Sequence, residues 1–361
     1  MSIVNSTPVK DSFFMPAEWS KHKQTWMGFP VRPDNWRCNA KYAQLNFADV
    51  ANAIARFEPV TVCAPKEQFE YARSILDKNV RVIEMSQNDS WFRDTAPIFV
   101  MNKEGIVRGT DWEFNAWGGL EGGCYDDWSD DNSIPNKICN IERLERYKQQ
   151  MILEGGSISV DGEGTLLTTE ECLLNHNRNP SLTKQEIENN LKTMFNLKKV
   201  IWFPRGLYGD VDTNGHVDNF CVYVKPGEVV MAWTDDIQDP QYEICREAEN
   251  VLKQEQDACG RYIKIHKLYI PTGLIRQKDE IDGIEEEEGT IGREEGQRLP
   301  GSYANFYFAN DAVILPGYNM AKKIFEELFP EKTVVQIFTR EILLGGGNIH
   351  CITQQQPEGH N

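Results

Sequence analysis

Apolar residues fall along this chain in two alternating rhythms. Short apolar runs bounded by Gly, Pro, Asn or Asp predict strands, and stretches with apolar residues every three or four positions predict helices. The helical rhythm covers Leu45 to Phe57, Lys66 to Asp77, Thr183 to Phe195, Tyr242 to Gln256 and Met320 to Leu328. β-rich runs follow, among them Val80 to Ile83, Val200 to Phe203, Ile263 to Ile270 and Val334 to Phe338. Five further segments share one plan: polar or small residues, an apolar strand, a tight turn, then usually a second strand. They begin at Ser90, Glu154, His216, Gly301 and Gly345, and the first four turn at Asn102–Gly105, Asp161–Gly164, Lys225–Glu228 and near Ala309–Asp311.

The repeating unit is therefore strand, strand, helix, strand. Five such units place Asp94, Glu154, His216, Asn305 and Cys351 at equivalent positions, and radial closure would gather them at one central pocket. An α/β chain whose hairpins align by chance is the alternative at this level. Two stretches break the plan. Residues 111–150 predict a long ordered loop with a helix after it, and residues 273–300, with their run Glu285 to Glu288, predict a solvated, mobile surface loop.

Composition narrows the class. A chain of 361 residues, 40% of them hydrophobic, can bury a sizeable core, and we read residues 1–361 as one catalytic domain. A formal charge of -17 argues against nucleic acid as a partner and favours a cationic one, although acidity for solubility alone is the competing explanation. The nine cysteines are odd in number and show no paired spacing, so neither a disulfide framework nor a structural zinc site is expected. No apolar signal region and no run long enough to span a membrane is visible, which points to a cytoplasmic protein.

Cys351 is the candidate nucleophile. It follows Gly345-Gly346-Gly347 and precedes Thr353-Gln354-Gln355-Gln356 on what reads as a short strand, a context no other cysteine shares; a buried structural thiol is the alternative. The segment Asp210-Val211-Asp212-Thr213-Asn214-Gly215 imitates the start of a calcium loop, but its twelfth position is Cys221 instead of Glu, so no metal is expected. His216 and Asp218, two apart, would share one face of a strand. With Asp94, Glu154, Asp212 and Asp218 all at polar hairpin starts, a shared pocket would concentrate repelling carboxylates. An organic cation would relieve them, and a guanidinium matches paired carboxylates in a planar fork.

Six segments carry a resemblance: Asn88–Pro97, Phe114–Gly119, Glu154–Ile158, Asp212–Asp218, Ser302–Phe306 and Gly345–Pro357. In this order they resemble the agmatine deiminase family of the guanidine-modifying, or pentein, superfamily, over roughly residues 12 to 357. The resemblance implies a five-bladed pseudosymmetric α/β propeller. It implies hydrolysis of agmatine to N-carbamoylputrescine and ammonia through an amidino-cysteine intermediate, feeding putrescine and polyamine synthesis, without metal or organic cofactor, in a homo-oligomer such as a homodimer. Cys351 would be the nucleophile and His216 the general acid and base. Asp94 and Asp218 would hold the guanidinium, Glu154 would orient His216, and Trp91 and Asp212 would line the substrate channel. Asn214 stands where Asp is more frequent and Ser159 where His is common. A deiminase of arginine or of C-terminal peptidyl-arginine, and a non-catalytic binder of cationic metabolites, are the alternatives. Arginine would need a basic partner for its carboxylate, and Arg93 is the only basic residue among the matched site motifs of the first four hairpins.

Overall fold

The turns that the sequence marks with Asn, Asp and Gly close antiparallel hairpins. In the computed structural model, which describes residues 2–285, 287–318 and 321–360, Asn102 Oδ1 accepts from the Ile106 N–H at 2.8 Å and Gly105 takes φ +79°. Asp161 Oδ1 accepts from the N–H groups of Glu163 and Thr165, both at 2.8 Å, to make the next such turn.

Each hairpin is then extended by a helical crossover to a parallel third strand. The strand triplets are β4 (Ile98–Met101), β5 (Val107–Glu113) and β6 (Arg146–Ile152); β7 (Ser159–Val160), β8 (Thr165–Thr169) and β9 (Lys199–Phe203); β10 (Cys221–Lys225), β11 (Glu228–Trp233) and β12 (Lys264–Tyr269); and β13 (Tyr307–Ala309), β14 (Ala312–Pro316) and β15 (Thr333–Ile337). In every triplet the first pairing is antiparallel and the second parallel.

The fifth sheet is made from both ends of the chain. β1 (His22–Gly28) pairs in parallel with β2 (Val60–Ala64), which pairs with β3 (Arg81–Glu84). The second hairpin strand of the cysteine segment is β1: β16 (Thr353–Pro357) runs antiparallel to it, with Met27 opposite Thr353. Five sheets of one plan, closed end to end, make a five-bladed α/β propeller.

Helices cover the blades with their apolar stripes. Lys184–Phe195 starts in a capping box between Thr183 and Glu186 and stops at Asn196, whose φ of 58° ends the helix. It buries Ile187, Leu191, Met194 and Phe195 with Leu166 and Val200 of its sheet, at about 1.5–3 kcal/mol for each large apolar side chain removed from water. The helix expected over Met320 to Leu328 spans Lys322–Leu328, its expected start at Met320 lying outside the described residues, and a further short helix, Arg340–Leu344, follows it.

The structure differs from the strand-pattern expectation at the polar hairpin starts. Phe92–Thr95, Gly155–Ser157 and Val217–Asn219 are single helical turns, and Cys351 sits in a turn ahead of β16. Side chains on such turns do not alternate between two faces, so neighbours in sequence reach one site. Residues 111–150 hold more order than a loop and a helix, because β6 forms there and joins β5. The acidic stretch 273–300 keeps Glu285, Glu287 and Glu288 exposed, yet Arg276 and Glu280 are buried within it. Arg276 donates to the Leu344 carbonyl at 2.8 Å, which ties the stretch against the cysteine end of the chain.

Candidate active site

Glycines let the hairpin starts approach one another. A Cβ on Gly156 would lie 2.6 Å from His216 Nδ1 and 3.0 Å from both Asp94 Oδ1 and Asp218 Oδ2, so side chains from two blades meet the backbone of a third at a point only Gly tolerates. A Cβ on Gly347 would meet Trp91 at 2.6 Å and the Cys351 sulfur at 3.0 Å. Asn305, from a fourth blade, donates through Nδ2 to Cys351 Sγ at 3.1 Å. The five equivalent positions do converge, as closure of the ring requires.

Cys351 is buried, with Asp218 Oδ2 3.6 Å from its sulfur. Burial, then Asp218 and Asp94, push its thiol well above the ordinary value, which favours the protonated sulfur. His216 lies 3.9 Å from Asp94 and 3.8 Å from Glu154, and neither ring nitrogen has a hydrogen-bond partner among the described residues. Burial disfavours its charge, but Asp94, Cys172 and Glu154 hold its pKa well above the usual range.

Each carboxylate has its own surroundings. Glu154 accepts from Arg178 Nε at 2.6 Å, and although burial pushes its pKa up, Arg178 and His216 hold it down at about 2. Asp218 Oδ2 is bound by His350 Nδ1 at 2.8 Å, while its Oδ1 is buried without a hydrogen-bond partner among the described residues. Asp212 takes Arg293 on both oxygens, at 2.9 and 2.7 Å. Among the described residues Asp94 has no arginine or lysine partner, only His216 at 3.9 Å. It accepts from the Gly156 N–H at 2.8 Å and Trp117 Nε1 at 2.9 Å, and burial followed by Asp218 and Glu154 raises its carboxyl, against the pull of His216.

Beside the sulfur lies a cavity whose lining includes Cys351, Gly347, Asp94 and Trp117. Trp91 forms part of its wall, stacked on Trp36 at 5.2 Å and donating to Asp89 at 2.9 Å. Asp34, Asp89, Asp94 and Asp212 line the cavity together with Arg32 and Arg293, and these arginines are paired with Asp34 and Asp212. Basic residues therefore do line the cavity, from loops outside the hairpin motifs. Arg93 is not among them: it is buried on its helical turn, with Nε donating to the His350 carbonyl at 3.3 Å and Nη1 3.5 Å from Glu18.

Glu154, Cys172 and His216 also bring one oxygen, one sulfur and one ring nitrogen within 4.8 Å of one another, a grouping that spacing along the chain does not reveal. Arg178 already supplies the positive charge at Glu154. Sequence reasoning missed Arg178, Arg293, His350 and Glu18. His350 carried a signal, its place beside Cys351, but reading the segment as a strand turned it to the wrong face. The two departures are accommodated: Asn214 Oδ1 accepts from Arg178 at 2.8 Å, and Ser159 Oγ accepts from the Tyr223 N–H at 3.0 Å.

The pattern of the Porphyromonas-type peptidyl-arginine deiminase family matches residues 14–357. The chain belongs to this family. Among curated members it is 55% identical to the agmatine deiminase of Pseudomonas aeruginosa strain LESB58, with 99% of each chain covered, and 54% identical to that of Pseudomonas fluorescens strain Pf-5, again over 99% of both. Of solved structures, the agmatine deiminase of Enterococcus faecalis superposes with a TM-score of 0.95 at 44% identity, covering 99% of each chain. A substrate-bound cysteine-to-serine variant of C. jejuni agmatine deiminase superposes at 0.82 and 28% identity, covering 97% of each. Family membership thus accords with the motifs and with the five-bladed fold on which they sit.

Proposed function

We propose that this protein hydrolyses agmatine to N-carbamoylputrescine and ammonia, which feeds putrescine and polyamine synthesis. The observation that carries the reading is the unequal neutralisation of the buried carboxylates. Glu154 has Arg178, Asp218 has His350 and Asp212 has Arg293, whereas Asp94, beside the nucleophile, holds only N–H groups and a histidine 3.9 Å away. A substrate guanidinium supplies the missing positive charge. It would bind Asp94 and the free Oδ1 of Asp218.

That cation favours loss of the Cys351 thiol proton to solvent, and the thiolate attacks the guanidinium carbon and forms a C–S bond. His216, held protonated, gives its proton to a terminal nitrogen, the C–N bond breaks and ammonia departs. The neutral imidazole then takes a proton from water, whose oxygen adds to the amidino carbon. The C–S bond breaks, regenerating the cysteine and releasing the ureido product. Glu154, locked by Arg178, keeps His216 oriented and charged for the first step. The substrate-bound relative carries serine in place of a cysteine, in keeping with a cysteine nucleophile.

The amine end of agmatine would extend along Trp91 past Asp34, Asp89 and Asp212, with two arginines already paired. That balance suits a second positive charge better than a carboxylate. Nine free cysteines accord with a reducing cytoplasm, and a ring closed by both chain ends supports reading the chain as a single domain. Incubation with agmatine, with ammonia and the ureido product measured together, tests the proposal. Release of neither, from folded protein, would overturn it.

A further inference from the structure

Beside the nucleophile runs a largely buried row of alternating charges, of which the reaction scheme uses only Asp218. Arg93 Nη1 lies 3.5 Å from Glu18, Glu18 takes His350 Nε2 at 2.9 Å on both oxygens, and His350 Nδ1 reaches Asp218 Oδ2 at 2.8 Å. The same Asp218 oxygen is 3.6 Å from Cys351 Sγ. Glu18 precedes β1, Arg93 adjoins Asp94, Asp218 belongs to a third blade and His350 adjoins Cys351, so the row fastens four segments around one carboxylate.

A carboxylate accepts and does not donate when ionised. With one at each ring nitrogen, both nitrogens of His350 must donate, and the ring is an imidazolium. The main chain fixes where the ring starts, because Asn305 Oδ1 accepts from the His350 N–H at 3.0 Å. We propose that His350 is a positioning residue, held as a cation between Glu18 and Asp218, that secures one oxygen of Asp218 and leaves the other for the substrate guanidinium. It rests on the guanidine chemistry proposed above, but makes its own claim about the resting protein.

Two consequences follow from the charges. Without a cation behind it, Asp218 would repel both the Cys351 thiolate and Asp94 across a buried site. Without a fixed Oδ2, its Oδ1 would lose its aim at the substrate. The groups bearing on the imidazolium are Glu18 and Asp218 in favour, with Arg93 and burial against, and its pKa stands above the ordinary histidine value. Glu18 feels the converse: burial works upward, but His350, Arg93 and His22 hold it down at about 2.

The first test uses the wild-type protein without substrate. ¹⁵N NMR should show both His350 nitrogens protonated at pH 8, where an ordinary histidine is neutral; a neutral ring at pH 7 overturns the proposal. The second follows alkylation of Cys351 by iodoacetamide against pH. In His350→Gln the midpoint should move up by at least one pH unit, and KM for agmatine should rise at least tenfold with a smaller fall in kcat. Glu18→Gln should move both in the same direction by less, and it carries the test if His350→Gln does not fold. Folded variants with unchanged alkylation profile and unchanged KM overturn the proposal. Wild-type inactivity on agmatine would instead overturn the functional reading, leaving the NMR and alkylation results to judge His350 alone.

Discussion

Asp94→Asn probes the carboxylate that, among the described residues, faces His216 at 3.9 Å and has no arginine or lysine partner. The substitution keeps shape and removes charge, but the surroundings are not indifferent to the amide. Oδ1 and Oδ2 each accept an N–H, from Gly156 at 2.8 Å and Trp117 at 2.9 Å, and Asn has one acceptor where Asp has two. Whichever way it is turned, its NH₂ faces a donor. Losing the charge-assisted contact to the guanidinium costs about 1.5–3 kcal/mol, which at about 1.4 kcal/mol per decade is roughly a 10- to 150-fold fall in kcat/KM. The mispaired donor adds about 1–3 kcal/mol of local cost. Opposing it, a buried carboxylate that burial and its neighbours already disfavour has been removed. Tm should therefore change little while kcat/KM, followed by ureido product formation, falls at least tenfold. In the wild type, KM should climb as pH drops through the raised Asp94 value, because the protonated acid no longer holds the cation. A kcat/KM within threefold of wild type, or a loss fully explained by a lowered Tm, would refute the assignment.

Cys351→Ser should remain folded and bind agmatine while turnover collapses, and acid-quenched wild type should carry the amidino mass on the Cys351 peptide and on no other cysteine. Since Asp218 and Asp94 help keep the thiol protonated, a small unreactive guanidinium should move the alkylation profile of Cys351 to lower pH; no movement at proven saturation would count against substrate-assisted activation. Agmatine should be preferred over free arginine by about 10³ or more in kcat/KM, because an unpaired carboxylate near the cavity aspartates costs several kcal/mol, and comparable rates would leave deiminase chemistry standing but sink the substrate assignment. Arg178→Met should strand Glu154 as a buried unpaired carboxylate and lower stability by about 3–5 kcal/mol at neutral pH. In the wild type the depressed Glu154 pKa contributes stability that is complete above the unfolded value and fades as pH falls toward about 2. Equal Tm for wild type and Arg178→Met at pH 7 would show that Glu154 does not need its partner.

Local order was legible because local physics makes it. The Thr183–Glu186 capping box, the Asn102 and Asp161 turns and the hydrophobic stripes are short-range, and the helices and strands they predict form within a few residues of where the pattern puts them. The same holds for Cys351, His216, Glu154, Asp94 and Asn305 as a set, since five repeats of one unit place them alike and closure gathers them, with Asp218 following His216 on its own hairpin. Tertiary structure alone decided the partners. No periodicity indicates that β1 completes the hairpin of β16 from the other end of the chain, or that Arg178, Arg293 and His350 each neutralise a different carboxylate. Those pairings depend on which surfaces meet when the ring closes, and a charge finds its counter-charge through space. The polar hairpin starts were mistaken for strand because a single helical turn has no period to detect. The turn ahead of β16 likewise sets His350 and Cys351 against the same aspartate, where an extended backbone would have sent them to opposite faces.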